Sequence, residues 1–210
     1  YMVKEGMKEK LEQFVKNGGT LITTFMSGIV DQSDNVHLGG YPGPLREMAG
    51  VWVEEIDALA PEHSNTVSFS DGKEYKCNLL CDLMHSEGAE VLATYESDFY
   101  AGMPAVTKNI YGKGHVYYVA TQLEAAGLAR VLDEATNEVS VSGVIAEKTG
   151  LEITCRESEN TCFYFVINFT DEKQTLPASL AGMVDLITGE AAKEGDVMNK
   201  WDVKILQEAL

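Results

Sequence analysis

Basic residues are scarce in this chain. Its 16 Lys and Arg stand against 33 Asp and Glu in 210 residues, a formal net charge of −17. No basic stripe is left to release counterions from a phosphate backbone or to settle on an anionic membrane. Neither nucleic acid nor a membrane is expected as a partner. Long apolar runs are missing as well. Nothing approaches the roughly 20 residues that span a bilayer, and the amino end lacks the charged-then-apolar layout of an export signal. A soluble, cytoplasmic protein is expected. The chain has no internal repeat, no low-complexity segment and no G-x-S-x-G elbow. Gly112-Lys113-Gly114 lacks the spacing and the trailing Ser or Thr of a phosphate loop, so it reads as a hairpin turn.

What remains is an ordinary globular composition with 45% apolar residues, enough for one large or two small domains. Met7, Leu11, Phe14 and Val15 repeat at helical spacing, and Gly18-Gly19 supplies the stop, which predicts a first helix ending near Lys16. Thr20 to Phe25 is too short for a helix and reads as a buried strand, giving an α/β unit. From Thr66 the chain favours extended segments within Thr66–Phe69, Asn78–Met84, Glu90–Tyr95 and Ala105–Ile110. A strand before Thr121 then leads to an amphipathic helix through Leu123, Leu128, Val131 and Leu132. The polar stretch from Glu134 to Thr149, with a short element over Val139–Ala146, marks a boundary. Beyond it, LEITCRE and TCFYFVINF alternate as a hairpin, with further strands in MVDLITGE and WDVKIL.

Several residues invite chemistry and are better read as structure. Cys77, Cys81 and His85 recur every four residues, as three zinc ligands on a helix would, but the segment reads equally as a strand and offers no fourth ligand at a usual spacing. No metal and no cofactor are expected. A hairpin turn centred on Ser158-Glu159 would set Cys155 directly opposite Cys162, within disulfide reach, although a reducing compartment favours two inward-facing thiols. Glu54 and Glu55 are adjacent strand residues that point to opposite faces, so they do not form a glycosidase pair. One is expected to be solvated and the other salt-bridged. His37, His63, His85 and His115 lie in separate segments, and Asn168-Phe169-Thr170 fits a glycosylation sequon but reads as strand end and turn.

The stretch LGGYPGPLREMAGVWVEE, Leu38 to Glu55, is the most particular feature. Gly39, Gly40 and Gly43 allow backbone angles closed to other residues while Pro42 and Pro44 fix φ, so the segment predicts a rigid, non-repetitive surface without a nucleophile. Together with FVKNGGTLITTFMSGIVD, PAVTKNIYGKGHVYYVATQL and GLEITCRESENTCFYFVINFTD, it resembles the family 42 glycoside hydrolases, which are β-galactosidases. Such enzymes look like three-part chains: a (β/α)8 barrel with two catalytic glutamates, an α/β domain that makes the trimer, and a small β domain. The resemblance begins inside the second part, so Tyr1-Met2-Val3 is expected to continue a domain that starts upstream. It implies residues 1–148 as a flavodoxin-like or class I glutamine-amidotransferase-like α/β sheet, incomplete at its start, and residues 149–210 as a small antiparallel, sandwich-like domain.

It also implies no catalytic residue here, a homotrimer as the partner, and a β-galactoside as the substrate of the barrel. Tyr41, Pro42, Pro44, Arg46 and Trp52 are the candidate contact surface, since Tyr, Trp and Arg dominate interface hot spots. Trp52, between Val51 and Val53, fits the core equally well. Two other readings compete: a stand-alone amidotransferase-like or carbohydrate-binding module without catalysis, and a metal-dependent hydrolase built on Cys77, Cys81 and His85.

Overall fold

A computed structural model describes residues 1–147 and 149–209. The chain divides into two units, Tyr1–Val139 and Ser140–Leu210.

In the first unit α1 spans Met7–Lys16. Only Val15 of its apolar positions is fully buried and Leu11 partly so, whereas Met7 and Phe14 stay exposed. The chain turns at Gly18, φ +110°, into β1 (Thr20–Thr24). This strand is half-buried, not fully buried as expected, because it lies at the edge of the sheet. A short helix α2 (Arg46–Ala49) precedes β2 (Val51–Ala58). There follow β3 (Asn65–Phe69), β4 (Glu74–Ser86), β5 (Glu90–Tyr95), β6 (Pro104–Tyr111), β7 (Gly114–Val119), β8 (Thr121–Leu123) and α3 (Ala125–Glu138).

These strands form one eight-stranded sheet in the order β1-β7-β6-β5-β3-β4-β2, with β8 on β4. Among the described residues β1 with β7 is its parallel ladder and the rest are antiparallel. The fold is thus mixed α/β with a large sheet built mostly of hairpins, and the alternating strand–helix layout expected of a flavodoxin-like domain is not what orders it. Strand β7 is buried on both faces from Val116 to Val119, as suits an interior strand. The expected element over Val139–Ala146 is neither helix nor strand in the described residues, and the expected boundary at 148/149 falls beside a residue outside them.

The second unit carries β9 (Glu152–Ser158), β10 (Thr161–Ile167), β11 (Gln174–Thr175), β12 (Val184–Asp185), β13 (Val197–Met198) and β14 (Val203–Ala209). Four of them form an antiparallel sheet, β12-β14-β10-β9, and β11 pairs with β13. Its small core gathers Leu151, Val166, Leu176, Leu180, Met198 and Leu206. The β9–β10 turn closes on the Ser158–Thr161 pair, so its centre is Glu159-Asn160. Cys155 therefore faces Tyr164, and Cys162 faces Glu157, two residues away from the direct opposition expected. As diagonal neighbours on one face, Cys155 and Cys162 are joined in a disulfide, contrary to the reading that favoured free thiols. Asn168 of the sequon is fully buried and holds the Glu172 and Met198 carbonyls through its amide, so it serves as a turn pivot.

Candidate assembly surface

Gly50, at φ +64°, ends α2 and turns the chain directly into β2. From there alternation sorts the side chains: Val51 and Val53 are fully buried, and Trp52 between them points away from the core. The antiparallel register sets Trp52 opposite His85. Their rings stack with centroids 5.0 Å apart and planes 22° from parallel. Arg46 also lies over the indole, its guanidinium 5.4 Å from the ring centroid, so cation, indole and imidazole pack as one column.

The column ties down the loop before it. The Trp52 indole N–H and Arg46 Nη1 both donate to the Gly39 carbonyl, at 3.1 and 3.0 Å. Arg46 is also held by a two-pronged pair with Glu87, Nε donating to Oε2 at 2.6 Å. That pairing raises the arginine and lowers the Glu87 carboxyl from their ordinary pKa values. A β-bulge after Val53 makes Glu54 the extra residue of β2, and its carboxylate meets His85 Nε2 at 2.9 Å. Gly40, at φ +86°, passes so close to the column that a Cβ there would lie 2.1 Å from the Trp52 indole nitrogen. Outside these ties stand Leu38, 97% exposed, and Val36, 63% exposed.

The expected surface residues therefore divide. Arg46 and Trp52 come together as its frame, and Pro44 is half-buried beside them. Tyr41 is half-buried, bridged to Val53 through the backbone and packed on the core, where burial, with Asp82 and Glu55 nearby, pushes its phenol up to about 12. Pro42 is buried and presents no surface, because the turn folds it inward. Leu38, His85 and Glu87 belong to the same patch, and only the long-range β2–β4 register could have revealed the last two. The supposed zinc triad falls apart: Cys77 and Cys81 are buried thiols, whereas His85 points outward to Trp52 and Glu54.

Residues 1–142 match the family model described as the β-galactosidase trimerisation domain, and residues 150–208 match that of the β-galactosidase C-terminal domain. The chain belongs to glycoside hydrolase family 42. Within the family it is 47% identical over 208 residues to the β-galactosidase LacA of Lactobacillus acidophilus, covering 99% of this chain and 31% of that protein. With the β-galactosidase of Geobacillus kaustophilus it shares 41% over 210 residues, again 99% and 31% of the two chains. Among solved structures it superposes on the β-galactosidase of Bacillus circulans sp. alkalophilus with TM-score 0.90 and 41% identity, covering 100% of this chain and 32% of that one. The cold-adapted β-galactosidase of Rahnella sp. R3 gives TM-score 0.85 at 34% identity, with coverages of 100% and 31%. The chain thus spans about a third of the length of these family 42 relatives. Among its described residues no helix is long and apolar enough to cross a membrane.

Proposed function

We propose that this chain is the assembly part of a β-galactosidase whose hydrolysis of terminal β-galactosyl residues is carried out by a barrel domain outside these 210 residues. The observation that carries the reading is the pair of adjoining family 42 domain matches, trimerisation then C-terminal, over residues 1–142 and 150–208. The domain division follows it: an α/β assembly domain to about residue 148 and a small β domain after it. The parallel β1–β7 pair with α1 beside it is the portion that fits a flavodoxin-like or amidotransferase-like layer.

In this reading the partner is a second and third copy of the chain, and the Val36–Trp52 patch is the contact. A net charge of −17 makes copies repel at long range, so an uncharged anchor is where they can touch. Leu38 and Val36 supply it, Arg46 and Trp52 brace the loop beneath, and Pro44 lines its flank. Hot-spot anchors are few, and cutting one back costs about 2 kcal/mol or more.

Light scattering across a concentration series tests this. The protein is expected to approach a trimer mass, and Leu38→Asp to shift the midpoint upward by roughly 30-fold or more, the equivalent of that energy. A wild-type protein that stays monomeric at every concentration overturns the reading. Measurable turnover of a nitrophenyl galactoside by this polypeptide would overturn its non-catalytic assignment.

A further inference from the structure

Besides the proposed assembly surface, the described residues hold one cluster of metal-ligating groups, two of which the disulfide engages. Cys155, Glu157 and Cys162 bring two sulfurs and a carboxylate oxygen within 4.8 Å of one another. The β9–β10 register explains the closeness: Cys155 and Glu157 alternate onto one face of β9, and Cys162 stands directly across from Glu157 on β10. On the next strand Glu208 lies opposite Cys162, on the same face, and its carboxylate accepts the Tyr164 hydroxyl at 3.0 Å. Arg156 is on the other face, its guanidinium turned to the Cys155 carbonyl at 2.8 Å.

We infer that, once its disulfide is reduced, the Cys155–Glu157–Cys162 face binds a thiophilic divalent cation such as zinc. Cys thiolates and Asp or Glu carboxylates are both ligands of this ion, and Zn–S and Zn–O bonds of about 2.3 and 2.0–2.2 Å place donors on one ion well inside a 4.8 Å envelope. The fourth position falls to solvent or to Glu208, which Tyr164 already orients as a neighbouring hydrogen-bond partner would. Strand β9 is at the sheet edge and Glu157 is exposed, so an ion has a way in, while Cys162 is buried and gives the site a fixed side. Charge favours a cation, since Glu157 lies beside the thiols and Glu208 stands opposite Cys162 in a strongly acidic chain.

The chemistry balances with a thiol reductant. Two equivalents of reductant thiol convert the disulfide to two cysteine thiols and are themselves oxidised to one disulfide; the thiols then each release a proton as the cation binds. Oxidised protein cannot bind the ion, because both sulfurs are already spent on each other. This inference is independent of the assembly reading and survives if the chain proves monomeric.

Cobalt titration of the 210-residue protein, reduced and desalted under argon, tests it. The expected result is a thiolate-to-cobalt charge-transfer band with the visible bands of a tetrahedral ion, saturating at one equivalent and bleached by zinc. The band should be absent in Cys155→Ser and Cys162→Ser, persist in Cys77→Ser/Cys81→Ser, and need roughly 10-fold more cobalt in Glu157→Gln. Oxidised wild-type protein, unaltered in sequence, should show none. Absence of the band in reduced wild-type protein overturns the inference, and so does a band that survives loss of Cys155 or that appears in the oxidised protein.

Discussion

The Tyr118 hydroxyl donates to Oδ2 of Asp82 at 2.7 Å inside the large sheet, while Oδ1 of the same fully buried carboxyl has no partner among the described residues. A half-satisfied carboxylate without a cation beside it is costly when charged. Burial accordingly raises Asp82 to about 7, Tyr118 pulling it back and Cys81 adding to the rise.

The folded-state value of about 7 lies above the unfolded value of about 3.9, so the unfolded chain gives up its proton first as pH rises. Stability from the neutral carboxyl is complete below about pH 4 and is lost as pH climbs to and past 7. At about 1.4 kcal/mol per unit the full effect is on the order of 4 kcal/mol. Asp82→Asn keeps the shape without the charge. Urea unfolding at pH 4 and pH 8 should show the variant near wild type at the lower pH and more stable at the higher; equal gaps at both would rule out Asp82 as the cause.

Gly39 and Gly40 separate backbone strain from collision. Both have positive φ, +92° and +86°, but a Cβ on Gly39 meets nothing within 4 Å, whereas one on Gly40 strikes the Trp52 indole and the Val53 carbonyl. Gly39→Ala should cost about 1 kcal/mol, the left-handed penalty alone. Gly40→Ala should cost about 2–4 kcal/mol and shift the Trp52 fluorescence, because the column must open. Thermal melts of the two variants that coincide would refute the packing argument.

Much of this was legible from local pattern. The helix at Met7–Lys16, the strands around Val67, Cys81, Ala93 and Val106, and the Cys155–Cys162 hairpin follow from period and turn chemistry, which act over a few residues. What depended on distant pairing was hidden. The Trp52–His85 stack joins residues from two strands, and the bulge at Glu54 shifts one past the other. Pro42 looked like surface by residue type, yet the turn buries it. A one-residue error in the centre of the Glu159-Asn160 turn moved every cross-strand partner of Cys155.

Arg46 makes few contacts that bear on global stability, since both it and Glu87 are partly exposed, and exposed ion pairs contribute little. Its two bonds on the loop side matter more locally. Arg46→Ala should leave the unfolding midpoint nearly unchanged but speed hydrogen exchange of the Trp52 indole N–H. Arg46→Lys should behave similarly, because an ammonium cannot hold Glu87 and Gly39 in one planar fork. Slow exchange retained in both variants would show that the loop does not need the column.

The chain has four cysteines, of which Cys77 and Cys81 are free at 2% and 0% exposure. Cys81 is pulled down to about 7, chiefly by its contact with the Cys77 thiol, whose own pKa is raised. A low pKa makes a nucleophile only where a reagent can reach it, so burial should govern. Ellman's reagent on the native, oxidised protein should react no faster than the sheet opens, despite the lowered pKa of Cys81. In denaturant it should count two thiols without reduction and four after it. Rapid labelling of native Cys81 would mean that β4 opens near its bulge between Asn78 and Cys81 without global unfolding, and would locate the weak point of the large sheet there.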